Sequence, residues 1–174
     1  CVIKERLQYI DLLSDYSKYI YSGISENKEE FSVFYSKNIS KDYSVKDIYL
    51  SEIENLKNFR KEDIFSKTTT VGPHRDDLEI LINNVSARSF GSQGQQRSCA
   101  LALKLGESEI IKKVTGETPV ALLDDVMSEL DEKRQDYVLN HINDRQVFLT
   151  CCDPSQVLRL CGGKSFLIKG GEII

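Results

Sequence analysis

The chain has 174 residues, 40% of them apolar, enough for one domain with a real core or one compact lobe plus a helical arm. With 23 basic against 27 acidic side chains and a net charge of −4, it has no overall attraction to nucleic acid, so any such contact has to be a local patch. Five cysteines without metal-ligand spacing, two of them adjacent at Cys151 and Cys152, read as reduced thiols of a cytoplasmic protein; the sequence lacks both a membrane-length apolar run and a signal peptide, and its start at Cys1 instead of Met suggests a fragment.

From Cys1 to about Tyr21, Ile3, Leu7, Ile10, Leu13 and Ile20 recur at helical spacing and predict an amphipathic helix, either an arm or an ordinary core helix. Phe31 to Tyr35 alternates as a strand, and Ser44 with Asp47 resembles a capping box opening a second helix over roughly 45–66. Residues 1–66 therefore read as a helical arm whose charged faces are solvated, and 67–174 as a separate lobe. In that lobe, Leu78, Ile80 and Ile82 alternate up to the Asn83-Asn84 turn, and Val85 to Arg88 predicts the return strand of a hairpin. Gln95 to Val114 is helical, Val120 to Leu123 is an apolar strand, Asp131 to Ile142 is helical, and Val147 to Thr150 is another apolar strand. Strand, helix and strand in that order imply a parallel βαβ unit, with a closing hairpin or edge ribbon over 165–174. The fold class is thus α/β: a partly parallel sheet with packed helices, the 95–114 helix among them, preceded by a helical arm.

Two constellations carry chemistry. Val120-Ala121-Leu122-Leu123 ends abruptly in Asp124-Asp125, where a parallel strand places its ligands. One aspartate alone is more often a capping residue. Two in succession point to opposite faces of a strand and suit different tasks, Asp124 holding Mg²⁺ and Asp125 positioning water. Upstream, Phe90-Gly91-Ser92-Gln93-Gly94-Gln95-Gln96-Arg97 is a small polar loop opening a helix, which serves either as a plain N-cap or as a phosphate site. The order decides between them: this loop, a helix, a strand ending in Asp-Asp, then Ser128-Glu129-Leu130-Asp131 resembles the signature motif, Walker B and D-loop of ABC-type ATPases.

Together with Gly72-Pro73-His74-Arg75-Asp76-Asp77-Leu78, these segments resemble the RecF family of SMC-like ATPases over about residues 67–160. The resemblance implies the C-terminal lobe of an ABC/SMC-like ATPase head, in a protein that dimerises on ATP, hydrolyses it slowly, and binds gapped DNA or single-strand/double-strand junctions alongside other recombination mediators. It implies that Ser92, Gln93, Gly94 and Gln95 contact ATP bound to a partner subunit, that Asp124 takes the Mg²⁺ side, that Asp125 is the catalytic residue, as base or water-orienting group, and that Ser128, Glu129 and Asp131 form the D-loop. Asp125 stands where many ABC ATPases have Glu, a shorter reach consistent with slow hydrolysis.

Two departures bear on this reading. No His follows Val147-Phe148-Leu149, which leaves Thr150 as the candidate γ-phosphate sensor. The P-loop is also missing: Gly163-Lys164-Ser165 has Leu158 where the first P-loop glycine belongs and precedes a strand, so it reads as a turn, and the fragment alone should be inactive. His74-Arg75 is open between a functional role and internal pairing of Arg75 with Asp76 or Asp77. The rival readings are an interaction module with structural carboxylates and another SMC-like head.

Overall fold

The computed structural model describes residues 1–37, 39, 42–152 and 163–174. They form two units, Cys1–Thr118 and Pro119–Ile174, each taken by itself. None of the described helices is long and apolar enough to cross a membrane.

The first unit contains α1 (Val2–Ile24), β1 (Phe31–Tyr35), α2 (Val45–Asn58), α3 (Arg60–Ser66), β2 (Leu78–Ile82), β3 (Val85–Ser86), α4 (Ala87–Phe90) and α5 (Gln93–Thr115). The heptad-like stripe of α1 does become a core: Ile3, Ile10, Leu13 and Ile20 are buried, and the partner is the Cys99, Leu101, Ala102, Leu105 and Ile110 face of α5. At Gly106 the two helices come close, because a Cβ there would meet the Ser17 backbone nitrogen at 3.2 Å. β1, β2 and β3 make an antiparallel sheet in which Phe31 pairs with Ile82 and Tyr35 with Leu78. Tyr21 of α1 stacks on Phe31 with ring centroids 4.6 Å apart, fastening the sheet to the helix pair.

Three expectations change here. The helix predicted over 45–66 is interrupted at Phe59, which closes α2 and opens α3 at φ −89, ψ 0. Only Ile48 is buried along both pieces, so little packing holds them in one straight rod. The return strand stops at Ser86, because Ala87 to Phe90 coil into α4, whose carbonyls take hydrogen bonds from Gln96. The division expected near residue 66 falls instead after Thr118, since β1 pairs with β2 and α1 packs on α5 across that point.

The second unit contains β4 (Ala121–Asp124), a 3-10 turn (Met127–Glu129), α6 (Glu132–His141), β5 (Val147–Thr150), and the hairpin β6 (Ile168–Lys169) and β7 (Glu172–Ile173). β4 and β5 pair in parallel, Asp124 opposite Thr150, as the strand–helix–strand order predicts. Leu123, Met127, Leu130, Val138, Leu139 and Ile142 are buried. The buried Gln135 amide donates to the Met127 carbonyl at 2.8 Å and the Leu130 carbonyl at 3.0 Å, fixing the 3-10 turn onto α6. Gly163-Lys164-Ser165 runs irregularly toward β6 and opens no helix, and Leu158 lies outside the described residues. The final hairpin turns on Gly170 and Gly171 at φ +63 and +87, a two-residue turn that glycine makes easily.

Candidate functional site

Ser92 is the N-cap of α5. Its hydroxyl accepts from the Gln95 N–H at 3.2 Å, and the Gln95 side chain accepts from the Ser92 N–H at 2.9 Å, a complete capping box. Two roles meet in this motif, because the cap consumes acceptor capacity at Ser92 Oγ while leaving its O–H as a donor. The N–H groups of Gln93 and Gly94 donate to nothing among the described residues, as the first turn of a helix leaves them. Ser92 and Gln93 are exposed, so hydroxyl and amides face a surface open to an anion.

The rest of the motif is tied down by residues whose part the sequence did not disclose. Gln95 Nε2 donates to Glu29 at 2.7 Å, and the other Glu29 oxygen accepts from Tyr21 at 2.6 Å. Gln96 Nε2 lies 3.2 Å from the carbonyl oxygens of Ala87, Arg88 and Gly91. Glu29, in a polar stretch, offers no sequence signal of this role; the Gln-Gln pair after Gly94 is the visible half of it.

In the second unit, Asp124 closes β4 and its carboxylate accepts a hydrogen bond from the Thr150 hydroxyl on the neighbouring strand. The same hydroxyl accepts from the Asp125 N–H at 3.0 Å, and the Thr150 carbonyl lies 3.2 Å from that nitrogen. Asp124, Asp125 and Thr150 are all exposed at the carboxyl ends of the two strands. Strand alternation does not separate the two aspartates, as the sequence implied, because Asp125 has left the strand and adopts φ +49. The left-handed backbone aims its side chain instead, a conformation open to Asp and Asn more than to longer residues. Ser128 Oγ donates to the Asp125 carbonyl at 3.0 Å, and Asp131 caps α6 by accepting from the Arg134 N–H at 3.1 Å. Glu129 belongs to the 3-10 turn, but its side chain lies outside the described residues.

The Gly72 to Asp77 loop resolves the pairing left open at Arg75. Its guanidinium donates to the Thr69 carbonyl and the Thr68 hydroxyl, both at 2.9 Å, and to neither adjacent aspartate. Asp76, nearly buried, is taken by the Tyr35 hydroxyl, by Lys37 at 3.5 Å and by Arg6 at 3.9 Å; Asp77 pairs with Arg88 at 3.0 Å. Burial, and then the bond to Asp76, push the Tyr35 phenol up to about 12.

No family model matches the chain. It is 42% identical over 174 residues to the DNA replication and repair protein RecF of Clostridium botulinum (strain Eklund 17B / Type B), a match covering 94% of this chain and 47% of that protein. To RecF of Clostridium tetani it is 44% identical, covering 99% and 48%, and to RecF of Clostridium perfringens (strain SM101 / Type A) 47% identical, covering 94% and 47%. Among solved structures, that of the recombination mediator protein RecF-ATPrS in the RecFOR pathway superposes with a TM-score of 0.80 at 36% identity, covering 99% of this chain and 46% of that one. The chain spans about half the length of the curated relatives it matches.

Proposed function

We propose, from the premise that this chain belongs to the RecF family, that it supplies the signature-motif, Walker B and D-loop side of the nucleotide site in an ATP-gated DNA-binding protein of replication and recombinational repair. The observation that carries the reading is the Asp124–Thr150–Asp125 arrangement at the carboxyl ends of a parallel strand pair, the end of such strands where ligands are bound.

Each residue then has a task. Mg²⁺ is held through one or two carboxylates plus substrate phosphates and water, and among the described residues no acidic, His or Cys cluster gathers that could cage a metal by itself. The exposed Asp124 carboxylate, turned by Thr150, fits that sparse ligand set. Bound Mg–ATP supplies the polarised phosphoryl group. Asp125 orients the attacking water and takes its proton at the carboxylate. Thr150, with its hydroxyl turned to Asp124, is assigned the positioning of that carboxylate more than direct sensing of the γ-phosphate. Ser92, Gln93 and Gly94 offer the hydroxyl and helix N–H groups to the γ-phosphate of ATP on a second subunit, and Gln95 holds the motif in place through its bonds to Ser92 and Glu29. Ser128, Glu129 and Asp131 cross the same interface as the D-loop. Nucleotide binding and homodimerisation are thereby one event, the switch through which the cytoplasmic protein engages gapped DNA and other mediator proteins.

Asp125→Asn tests the chemistry, because Asn tolerates the left-handed backbone and alters only the carboxylate. In a full-length RecF-family protein carrying this sequence, ATP binding and dimerisation should persist while turnover falls about 100-fold or more. Unchanged turnover removes Asp125 from catalysis. The capping box favours a second reading, in which Ser92 does nothing beyond stabilising α5. Ser92→Arg separates the two: ATP-dependent dimerisation measured by light scattering should vanish with the helical signal intact, and a variant that still dimerises leaves Ser92 as a cap alone.

A further inference from the structure

The features of α3 and the 67–75 loop do not suit a solvated face. α3 buries no residue, and Ile64 and Phe65 stand 67% and 91% exposed. A seven-residue helix without a buried face gains little from packing, so what orders it is local. Asp63 accepts from both the N–H and the hydroxyl of Thr70, at 2.8 and 2.6 Å, and the Thr68 N–H donates to the Asp63 carbonyl. Arg75 in turn is fixed to Thr68 and Thr69. Helix and loop are therefore laced into one surface, on which Arg60 and His74 both act on the Asp63 carboxylate.

The charge of that surface opposes the charge of the chain. Between Lys57 and Arg75 there are five basic residues against Glu62 and Asp63, in a protein of net charge −4. Lys57, Arg60, Lys61, Lys67 and Arg75 are all exposed, and none forms an ion pair among the described residues. Of the two acids, Asp63 is engaged by the Thr70 N–H and hydroxyl. What remains is a segment with an excess of exposed basic side chains and an exposed aromatic ring, complementary to a polyanion that also offers flat apolar surface.

We propose that this face is a DNA-contacting surface: Lys57, Arg60, Lys61, Lys67 and Arg75 lie along the phosphate backbone, and Phe65 rests against sugar or base. The proposal rests on the DNA-binding reading above and adds where the contact is made. It also gives His74-Arg75 a role, since the Thr68 and Thr69 bonds present the guanidinium outward once Asp76 and Asp77 are engaged elsewhere.

The test is Arg60→Glu with Lys61→Glu in a full-length RecF-family protein carrying this sequence. Both positions lie in the first turn of α3, where acidic residues suit the helix dipole, so the substitution reverses charge without unfolding the helix. A matched Lys18→Glu/Lys169→Glu variant, at exposed positions outside the face, makes the same change in net charge. Binding to gapped duplex DNA with ATP is measured from 50 to 200 mM salt. The expected result is an affinity loss of about tenfold or more with a salt slope shallower by about 1 to 2, the control retaining wild-type slope. Equal behaviour of test and control overturns the surface assignment while leaving the DNA-binding function standing. Intact DNA binding with loss of a partner protein overturns it too, in favour of a protein dock. Wild-type protein that binds no DNA under any condition overturns the underlying function instead.

Discussion

Asp125 owes its aim to one backbone angle. At φ +49 a glutamate would carry more strain than an aspartate, because the short side chain is what makes the left-handed region accessible. The shorter acid at this position, legible in the sequence only as a departure from the more common Glu, thus has a local physical reason. Tyr35 shows the opposite relation between sequence and structure, since nothing in Phe31 to Tyr35 announces a partner 41 residues away. Its phenol is raised from 10.0 to about 12, so the folded state favours the neutral form. The sign follows: this stabilisation is fully present below about pH 10 and is lost as pH rises toward 12. Tyr35→Phe should flatten the fall in thermal stability between pH 9 and 11.5. A wild-type-like fall in the variant would mean that other groups govern alkaline unfolding.

At the scale of elements, periodicity revealed which residues are buried and was silent about what buries them. Ile3, Ile10, Leu13 and Ile20 announce the inner face of α1, and α5 (Gln93–Thr115) is legible to within two residues at its start and one at its end. Their mutual packing is not, because it depends on Gly106, which in the sequence reads only as a weak spot in a helix. The structure makes it a requirement of close approach. Gly106→Leu should cost about 1–3 kcal/mol through overpacking against Leu13 and Ser17. Denaturant unfolding of the variant would show it, and a midpoint equal to wild type would refute the close crossing. The same limit explains the site. Asp124, Asp125 and Thr150 lie at ends of strands that apolar runs make recognisable, whereas Glu29 acts through a contact with Gln95 66 residues away and carries no local signature.

For the molecule as a whole, the two units rest on unequal foundations. The first closes a helix pair over an antiparallel sheet. The second rests on two parallel strands whose paired residues Leu122 and Phe148 are 75% and 58% exposed, although parallel sheets are ordinarily covered on both faces. Expressed separately, residues 1–118 should melt cooperatively by circular dichroism, and 119–174 should show no cooperative transition. A sharp transition in the shorter fragment would mean that its own core suffices. The first unit, for its part, is held by contacts of long reach, with Gln95 joined to Glu29 across 66 residues and Arg6 to Pro73 across 67. A nascent chain therefore lacks the α5 cover of the α1 stripe until α5 has cleared the ribosome, an interval in which apolar surface meant for α5 is open to aggregation.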